Sequence, residues 1–371
     1  MTMPIMTAER QRLRVELGAR AYDIVVGAGL IATAGHEIRP LMRRPHAVVV
    51  SDDNVARHWL EPLLASLAAA GISYHTVVLP PGEETKDLAH FGRLAEDVLA
   101  CGLERGSMLI ALGGGVVGDI TGFAAATLLR GVDFVQLPTT LLAQVDSSVG
   151  GKTAINAASG KNLIGAFYQP RLVVADTDVL ATLPRRELLA GYGETVKYGL
   201  IRDAAFFAWC ERQGNALCGL APEPLRHAIV TSCQMKAEIV AGDEREEGER
   251  ALLNFGHTFG HALEAETGYT RFLHGEAVAW GMKAAALLGE KEKMLPAGDK
   301  REILECVNSY GPFPALNGID PSRLAGRLKS DKKTVQGKVH FVLPERIGVV
   351  KITADVQDGL VLAAIEEALA C

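Results

Sequence analysis

Three histidines lie close together in the second half of the chain and could bind a metal ion. His257 and His261 are four residues apart in a segment with helical periodicity, so both rings are expected on one helix face. His274 follows after a short segment. Imidazole nitrogen is a ligand that zinc and similar divalent ions accept, and a catalytic site keeps a further position open. The spacing alone also fits histidines that are hydrogen-bonded at a helix packing surface.

Polar residues upstream of these histidines favour a binding site. Five polar residues follow one another at steps of four, four, three and four: Glu246, Arg250, Asn254, His257 and His261. This spacing predicts that all five share one stripe of a single helix. Such a stripe is costly to bury unless it binds something.

An earlier predicted helix offers a carboxylate to the same site. Glu194 and Lys197 are three residues apart in G-E-T-V-K and therefore lie on one helix face. Glu194 could complete a metal site of two histidines and one carboxylate, and Lys197 could bind a substrate anion. The alternative is an ordinary local salt bridge.

A glycine-rich segment in the first half suggests a nucleotide site. Residues 113–118 match G-x-G-x-x-G between a predicted strand and a predicted helix, where backbone N–H groups can bind a pyrophosphate. The usual fingerprint places an acid at the end of the following strand, but no acid ends residues 134–137. Asp52, at the end of an earlier strand, is the acid that could hold the ribose. The glycines could instead serve only close helix packing.

Cations in the next segment suit a phosphorylated substrate. Residues 138–167 combine small and hydroxyl residues with Asp146, Lys152, Lys161 and Asn162, and Arg130 lies just upstream. Lysine and arginine are common phosphate ligands, although a single lysine is more often a solvated surface charge.

The order of predicted elements indicates two domains. Up to residue 184, short apolar runs alternate with helical patterns, which predicts an α/β domain with a parallel sheet that binds ligands at the carboxyl ends of its strands. Residues 185–371 are predicted to be mainly helical, with helices at 185–201, 204–213, 223–241, 250–267 and 275–292 and a strand pair at 339–343 and 348–352.

Composition excludes several classes of protein. The 371 residues are 48% hydrophobic, enough for two cores, and the net charge of −6 argues against a nucleic-acid partner. We found neither a signal-peptide pattern nor a run of about 18 apolar residues, so a cytoplasmic protein is expected. Six cysteines without a C-x-x-C pair argue against a disulfide framework.

Taken together, the motifs resemble a known family. In order, they are S-D-D-N, P-G-E-E-T-K, G-G-G-V-V-G-D-I-T-G-F, P-T-T-L-L-A-Q-V-D-S-S-V-G-G-K-T, K-N-L-I-G-A-F-Y-Q-P, G-E-T-V-K, D-E-R-E and L-N-F-G-H-T-F-G-H-A. This set closely resembles the 3-dehydroquinate synthase family of sugar phosphate cyclases over nearly the whole chain. The resemblance implies a homodimeric, cytoplasmic enzyme of the shikimate pathway that uses NAD and a divalent metal, zinc or cobalt. Its reaction converts 3-deoxy-D-arabino-heptulosonate 7-phosphate to 3-dehydroquinate and phosphate through oxidation, β-elimination, reduction, ring opening and aldol closure.

The same resemblance implies roles for individual residues. The metal ligands would be Glu194, His257 and His274. The NAD site would comprise Asp52, Glu83, Lys86, Gly114, Gly115, Asp119, Thr139, Thr140, Lys161 and Thr182. The substrate and catalytic site would comprise Arg130, Asp146, Lys152, Asn162, Lys197, Lys236, Arg250, Asn254 and His261, with Glu246 near the water of the metal site and one lysine of Asp331-Lys332-Lys333 reaching the substrate.

Three alternative functions stay open on the sequence. A different sugar phosphate cyclase would share NAD and the metal, but Arg250 and Asn254 match the dehydroquinate synthase pattern. A metal-dependent alcohol dehydrogenase of similar fold would consume NAD stoichiometrically and would not need so many cations. A non-catalytic nucleotide-binding or scaffold protein would be expected to have lost part of the metal triad.

Overall fold

The chain forms two compact units. The computed structural model describes residues 10–309, 311, 313–330, 334–335 and 338–371. One unit contains the described part of Met1–Leu183 together with Pro222–Arg245, and the other contains Pro184–Ala221 with the described part of Glu246–Cys371. The predicted division after residue 184 differs from these units because residues 222–245 group with the first one. The hydrophobic periodicity of that segment predicted a helix but could not show which of the two units the helix packs against.

The first unit is built on a mixed sheet of seven strands. The strands of the chain are β1 Gln11–Val15, β2 Tyr22–Gly27, β3 His46–Asp52, β4 Ser73–Leu79, β5 Met108–Gly113, β6 Asp133–Pro138, β7 Lys152–Ala157, β8 Gly160–Phe167, β9 Leu172–Asp176, β10 Thr334–Val335, β11 Lys338–Val339, β12 Phe341–Arg346 and β13 Val349–Thr353. The large sheet has the order β1-β2-β9-β6-β5-β3-β4. Only β1 pairs antiparallel to its neighbour; the rest of this sheet is parallel, as predicted. Strand β5 is buried along its whole length, as expected where helices cover both faces.

Helices surround this sheet and make up most of the second unit. They are α1 Ala34–Ile38, α2 Asp53–Ala69, α3 Leu88–Ala100, α4 Gly115–Thr127, α5 Arg185–Arg202, α6 Ala204–Cys218, α7 Pro222–Gly242, α8 His257–Glu266, α9 His274–Lys291, α10 Ala297–Ser309, α11 Pro321–Ser330 and α12 Asp358–Ala370. Helix α7 packs against β1 and β2. Among the described helices, none combines a membrane-spanning length with sufficient hydropathy.

The order of the parallel strands explains the position of the predicted ribose acid. From β3, the chain adds β4 on one side and then returns to place β5 on the other side of β3. Ligands of open parallel sheets bind in the crevice where the strand order reverses in this way. Asp52 ends β3 and Gly113 ends β5, so the acid and the glycine-rich turn lie on the two sides of the reversal. The acid therefore precedes the glycines in the sequence.

Helix α9 is the centre of the second unit. Fifteen of its 18 residues are buried. It packs against α5, α8, α10 and α12, so it is covered on all sides, which explains why most of its buried residues are apolar or small.

Two glycines let neighbouring chain segments approach α9 at backbone distance. A Cβ atom added at Gly275 would lie 2.0 Å from the carbonyl oxygen of Ala190 on α5. One added at Gly281 would lie 2.0 Å from the carbonyl oxygen of Gly256, just before α8. Any larger side chain at these positions would force α5 or α8 away from α9.

The predicted helix over 250–267 is wrong in its first half. Glu249–Asn254 is a short 3-10 helix, and Gly256 has a φ of 78° before α8 begins at His257. Residue 256 must be glycine because a Cβ there would lie 2.7 Å from the carbonyl oxygen of Val278. Glu246, Arg250 and Asn254 therefore do not share one helical stripe with the histidines.

The hairpin formed by β7 and β8, and strand β9 after it, were not predicted as strands. β7 and β8 pair antiparallel from Lys152 opposite Phe167 to Ala157 opposite Gly160. Strand β8 reads G-K-N-L-I-G-A-F, in which apolar and polar residues do not alternate regularly, so hydrophobic periodicity did not mark it. The predicted strand pair before the last helix is confirmed as β12 and β13.

The close contact at Gly275 predicts a large loss of stability on substitution. Gly275→Ala should lower the free energy of unfolding by about 3 kcal/mol or more, since backbone atoms of α5 must move to admit the methyl group. Gly92→Ala in α3 is the matched control: nothing lies within 4 Å of a Cβ there, and alanine should raise stability by about 0.5–1 kcal/mol. Urea denaturation measures both, and equal stability of the two variants would contradict the packing described.

Candidate active site

A carboxylate and two imidazoles converge in the second unit. Glu194 lies in α5, His257 is the first residue of α8 and His274 is the first residue of α9. The Nε2 atoms of His257 and His274 lie 3.7 Å and 3.8 Å from Glu194 Oε1. All three ligand atoms lie within 4.8 Å of one another. The three residues predicted as metal ligands are thus together.

The surroundings of Glu194 fit a bound cation. Its side chain has no exposed surface, and neither carboxylate oxygen accepts a hydrogen bond from a described residue. Lys197 Nζ lies 2.5 Å from Oε2 as an ion pair, without the geometry of a hydrogen bond. Buried carboxylate oxygens are costly unless they are hydrogen-bonded or bound to a cation. Two imidazole nitrogens and one carboxylate oxygen are the donor set of many catalytic zinc sites, so these residues fit a divalent metal.

Both histidines have their second ring nitrogen engaged. His257 Nδ1 lies 3.0 Å from the carbonyl oxygen of Phe255. Because a carbonyl only accepts, Nδ1 carries the proton and Nε2 directs its lone pair toward Glu194. His274 Nδ1 lies 3.3 Å from Glu264 Oε2, which imposes the same tautomer.

Glu264 is a functional candidate that the sequence reasoning missed. It is 1% exposed and, with His261 and His274, forms a second group of ligand atoms that shares His274 with the first. The rings of His257 and His261 are 5.6 Å apart, which confirms that they share a helix face. His261 lies four residues after His257, and Glu264 lies three residues after His261. Helical spacing could therefore have identified Glu264.

The remaining predicted residues of the second unit are partly clustered. Asn254 Nδ2 donates to Glu246 Oε1 at 2.7 Å, so these two are paired although they do not share a helix. Arg250 is 1% exposed, among the largest fully buried side chains. Asp331, Lys332 and Lys333 lie outside the described residues.

In the first unit, predicted cofactor residues lie at the carboxyl ends of five parallel strands, β3, β4, β5, β6 and β9. Asp52 ends β3 and caps α2, its Oδ1 accepting from the backbone N–H groups of Asn54 and Val55 at 2.9 Å and 3.1 Å. Thr140 follows β6, and its hydroxyl accepts from the Ala143 N–H at 3.1 Å. Thr182 follows β9 and accepts from Trp59 Nε1 at 2.9 Å. These residues share the edge of the sheet at which parallel folds bind ligands.

The glycine-rich turn begins helix α4 at the same edge. Gly114 caps the helix and Gly115 is its first residue. A Cβ at Gly114 would lie 2.9 Å from Thr140 Cγ2, so the turn packs closely on the residues after β6, where Thr139 is also buried. Helix packing and an accessible helix N-terminus therefore both require glycine here.

Lys86 connects predicted cofactor and substrate residues. It is 3% exposed, and its Nζ donates to Asp119 Oδ2 at 2.6 Å and to Asn162 Oδ1 at 2.7 Å. Glu83 Oε1 is 3.8 Å away. Burial lowers the pKa of Lys86, but the charges of Asp119 and Glu83 outweigh it and leave this pKa above its ordinary value. Burial also raises the pKa of Asp119, against the opposing effect of Lys86. The buried Lys86 side chain therefore joins the turn after β4 to α4 through Asp119 and to β8 through Asn162.

The predicted substrate residues of the first unit are only partly brought together. Lys236 on α7 donates to the backbone oxygen of Asp146 at 2.7 Å and lies 3.1 Å from its Oδ1. Asp146 lies in a π-helical turn, Ala143–Ser147. Lys152 is exposed on β7, and Lys161 is half-buried on β8.

Arg130 stands apart from these clusters. Its side chain is exposed and makes no hydrogen bond or ion pair with a described residue. Leu129 and Arg130 have φ values of 51° and 66°, a left-handed conformation that costs free energy for such residues.

Comparison with protein families identifies both halves of the chain. The 3-dehydroquinate synthase N-terminal model matches residues 76–190, and the 3-dehydroquinate synthase C-terminal model matches residues 191–334. The 3-dehydroquinate synthase of Rhodospirillum rubrum is 54% identical over 368 residues, which cover 96% of this chain and 95% of that protein.

Solved structures of sugar phosphate cyclases share the fold. The 2-epi-5-epi-valiolone synthase ValA of Streptomyces hygroscopicus, with NAD+ and Zn2+ bound, is 28% identical with a TM-score of 0.87, and the match covers 94% of this chain and 97% of that one. A 2-deoxy-scyllo-inosose synthase complexed with carbaglucose-6-phosphate, NAD+ and Co2+ is 27% identical with a TM-score of 0.86, over 96% of this chain and 99% of that one.

The contact between Glu264 and His274 predicts a measurable contribution to metal affinity. Glu264→Gln should raise the dissociation constant for zinc about 10- to 100-fold, because the amide holds the His274 ring less firmly in its ligand tautomer. Isothermal titration of the metal-free protein with zinc measures this constant.

A matched control lies on the same helix. Glu266 pairs with Arg323 and Arg327 at 2.8 Å and 3.1 Å and belongs to neither ligand group. Glu266→Gln should leave the zinc dissociation constant unchanged. If both variants bind zinc as the wild type does, Glu264 does not orient the ligand.

Proposed function

The chain belongs to the 3-dehydroquinate synthase family, and we propose that its Glu194, His257 and His274 hold the divalent metal ion that this family uses. The enzyme is a phosphate-eliminating carbon–oxygen lyase of the shikimate pathway. It converts 3-deoxy-D-arabino-heptulosonate 7-phosphate to 3-dehydroquinate and phosphate with NAD as cofactor. The observation that carries the proposed metal site is the buried Glu194 carboxylate, which accepts no hydrogen bond from a described residue and has two Nε2 atoms within 3.8 Å.

The two cofactors supply the redox and Lewis-acid chemistry. When bound, NAD would supply reversible hydride transfer with a substrate alcohol, and a divalent metal held by Glu194, His257 and His274 would supply Lewis-acid activation of that alcohol. The protein residues must hold these groups and the substrate in one geometry.

We assign the NAD site to the carboxyl edge of the sheet in the first unit. The N-terminus of α4, opened by Gly114 and Gly115, suits the pyrophosphate, and Asp52 on the other side of the strand reversal suits a ribose hydroxyl. Lys86 and Asp119 keep the turn after β4 fixed to α4 by their 2.6 Å ion pair. The full proposed set is Asp52, Glu83, Lys86, Gly114, Gly115, Asp119, Thr139, Thr140, Lys161 and Thr182.

The proposed substrate residues are rich in cations because the substrate carries a phosphate and a carboxylate. Fixed cations and amides can orient these anions and stabilise negative charge as the phosphate leaves. They include Lys197, held 2.5 Å from Glu194, and Lys236, held by Asp146. The full proposed set is Arg130, Asp146, Lys152, Asn162, Lys197, Lys236, Glu246, Arg250, Asn254 and His261.

Sequence identity supports 3-dehydroquinate synthase over the other cyclases. The relative with that activity is 54% identical, whereas the valiolone and inosose synthases are 28% and 27% identical. We also propose that the enzyme is a homodimer in the cytoplasm, in keeping with a biosynthetic role.

Two substitutions test the cationic part of the proposed site. Arg130→Ala and Lys197→Ala should each lower kcat by about 100-fold or more, as expected when a group that stabilises developing charge is removed. Arg130→Ala should leave the melting temperature unchanged, because this exposed side chain makes no hydrogen bond or ion pair with a described residue. Steady-state phosphate release and thermal denaturation measure the two quantities. Wild-type turnover in either variant would remove that residue from the site.

The regeneration of NAD in each turnover can be tested by measuring how many phosphates are released per NAD. With 3-deoxy-D-arabino-heptulosonate 7-phosphate in excess over NAD, each NAD should support the release of many phosphates without accumulation of NADH. Chelation of the metal should stop the reaction, and added zinc or cobalt should restore it. NADH that accumulates in step with substrate loss would instead indicate a dehydrogenase.

A further inference from the structure

The turn after β4 and the hairpin formed by β7 and β8 are joined through one amide side chain, Asn156. Its backbone N–H donates to the carbonyl oxygen of Lys86 at 2.5 Å. Its Nδ2 donates to Glu83 Oε1 at 2.8 Å, and its Oδ1 accepts from the backbone N–H of Asn162 at 2.9 Å. Asn156 is not part of the proposed NAD or substrate sets, yet it contacts members of both.

A second connection closes these contacts into a ring. Lys86 Nζ donates to Asn162 Oδ1 at 2.7 Å, so Lys86 and Asn162 are linked both directly and through Asn156. Asn162 has a φ of 52°, a left-handed conformation that asparagine tolerates better than most residues. The hydrogen bond from its N–H to Asn156 stabilises that conformation and so fixes the direction of the Asn162 side chain.

Both ends of the Asn156 amide are required. Nδ2 must donate to a carboxylate, and Oδ1 must accept from a backbone N–H. An aspartate at this position could still accept from Asn162, but it could not donate and would bring a second negative charge against Glu83. An alanine would lose both of these hydrogen bonds and the longer one, at 3.5 Å, from Nδ2 to the carbonyl oxygen of Glu83.

We propose that Asn156 is a positioning residue that sets the Glu83–Lys86 turn against the part of the hairpin that carries Lys161 and Asn162. One amide thereby couples the residues proposed for NAD to a residue proposed for the substrate. The inference rests on the proposed function, because it uses the roles assigned there to Glu83, Lys86, Lys161 and Asn162. Asn156 acts through Glu83 and Asn162, so its loss weakens the binding of both ligands more than it slows turnover.

A double-mutant cycle with Glu83 tests the proposal. In the wild-type background, N156D should raise the dissociation constant of NAD and the KM for 3-deoxy-D-arabino-heptulosonate 7-phosphate each about tenfold, since it breaks a hydrogen bond to a charged group. The fall in kcat should be smaller. In the E83Q background, where the new amide can donate to the new carboxylate, N156D should change the NAD dissociation constant less than about twofold. Isothermal titration of the metal-loaded enzyme and steady-state kinetics provide these values.

Further variants separate positioning from general loss of structure. N156A should show the same split between KM and kcat, and it serves as the test if N156D fails to fold. S159A, at an exposed residue of the hairpin turn, should match the wild type in NAD affinity and KM.

Two outcomes would overturn the proposal. One is an equal effect of N156D in the wild-type and E83Q backgrounds, and the other is wild-type NAD affinity and KM in both N156D and N156A. Failure of the proposed function itself gives a different result, because the wild-type enzyme would then release no phosphate with catalytic NAD. The double-mutant cycle, measured through the NAD dissociation constants, would still report whether Asn156 and Glu83 are energetically coupled.

Discussion

The burial of one carboxylate constrains the whole second unit. Glu194 is fully buried, with the ammonium group of Lys197 as its nearest cation and the Nε2 atoms of His257 and His274 within 3.8 Å of Oε1. An isolated carboxylate in that position would cost several kcal/mol, so the fold must supply positive charge at this point. Three helices therefore meet closely, and Gly275 and Gly281 make this approach possible. Glu264 and the Phe255 carbonyl then fix which imidazole nitrogen faces the carboxylate.

In the first unit, the edge of the parallel sheet arranges the residues that we propose for NAD binding. Its strand order places Asp52 and the glycine-rich turn on two sides of the reversal between β3 and β5. The ion pair of the buried Lys86 with Asp119 joins the turn after β4 to α4, and hydrogen bonds of this turn with Asn156 and Asn162 extend the connection to the hairpin. A rigid network of this kind lets polar side chains hold fixed positions before any ligand binds.

Local patterns in the sequence predicted much of this arrangement, and contacts between distant residues explain what they missed. The spacing of His257 and His261 and the alternation of strands and helices are local properties, and both were confirmed. The break before α8 was not predictable, because the close packing that requires glycine at residue 256 involves the carbonyl oxygen of Val278, 22 residues away. Glu264 continued a helical spacing that was already recognised and could have been found. Asn156 had no such signal, since its partners Glu83 and Asn162 are brought to it only by the folded chain.

The position of a bound metal tests the central claim most directly. Crystals grown with cobalt and measured at the cobalt absorption edge would show the ion by its anomalous scattering. We expect one strong peak within coordination distance of Glu194 Oε1, His257 Nε2 and His274 Nε2, absent after chelation. A peak among His261, Glu264 and His274 instead, or no ordered peak in crystals of active enzyme, would contradict the assignment of Glu194 as the carboxylate ligand.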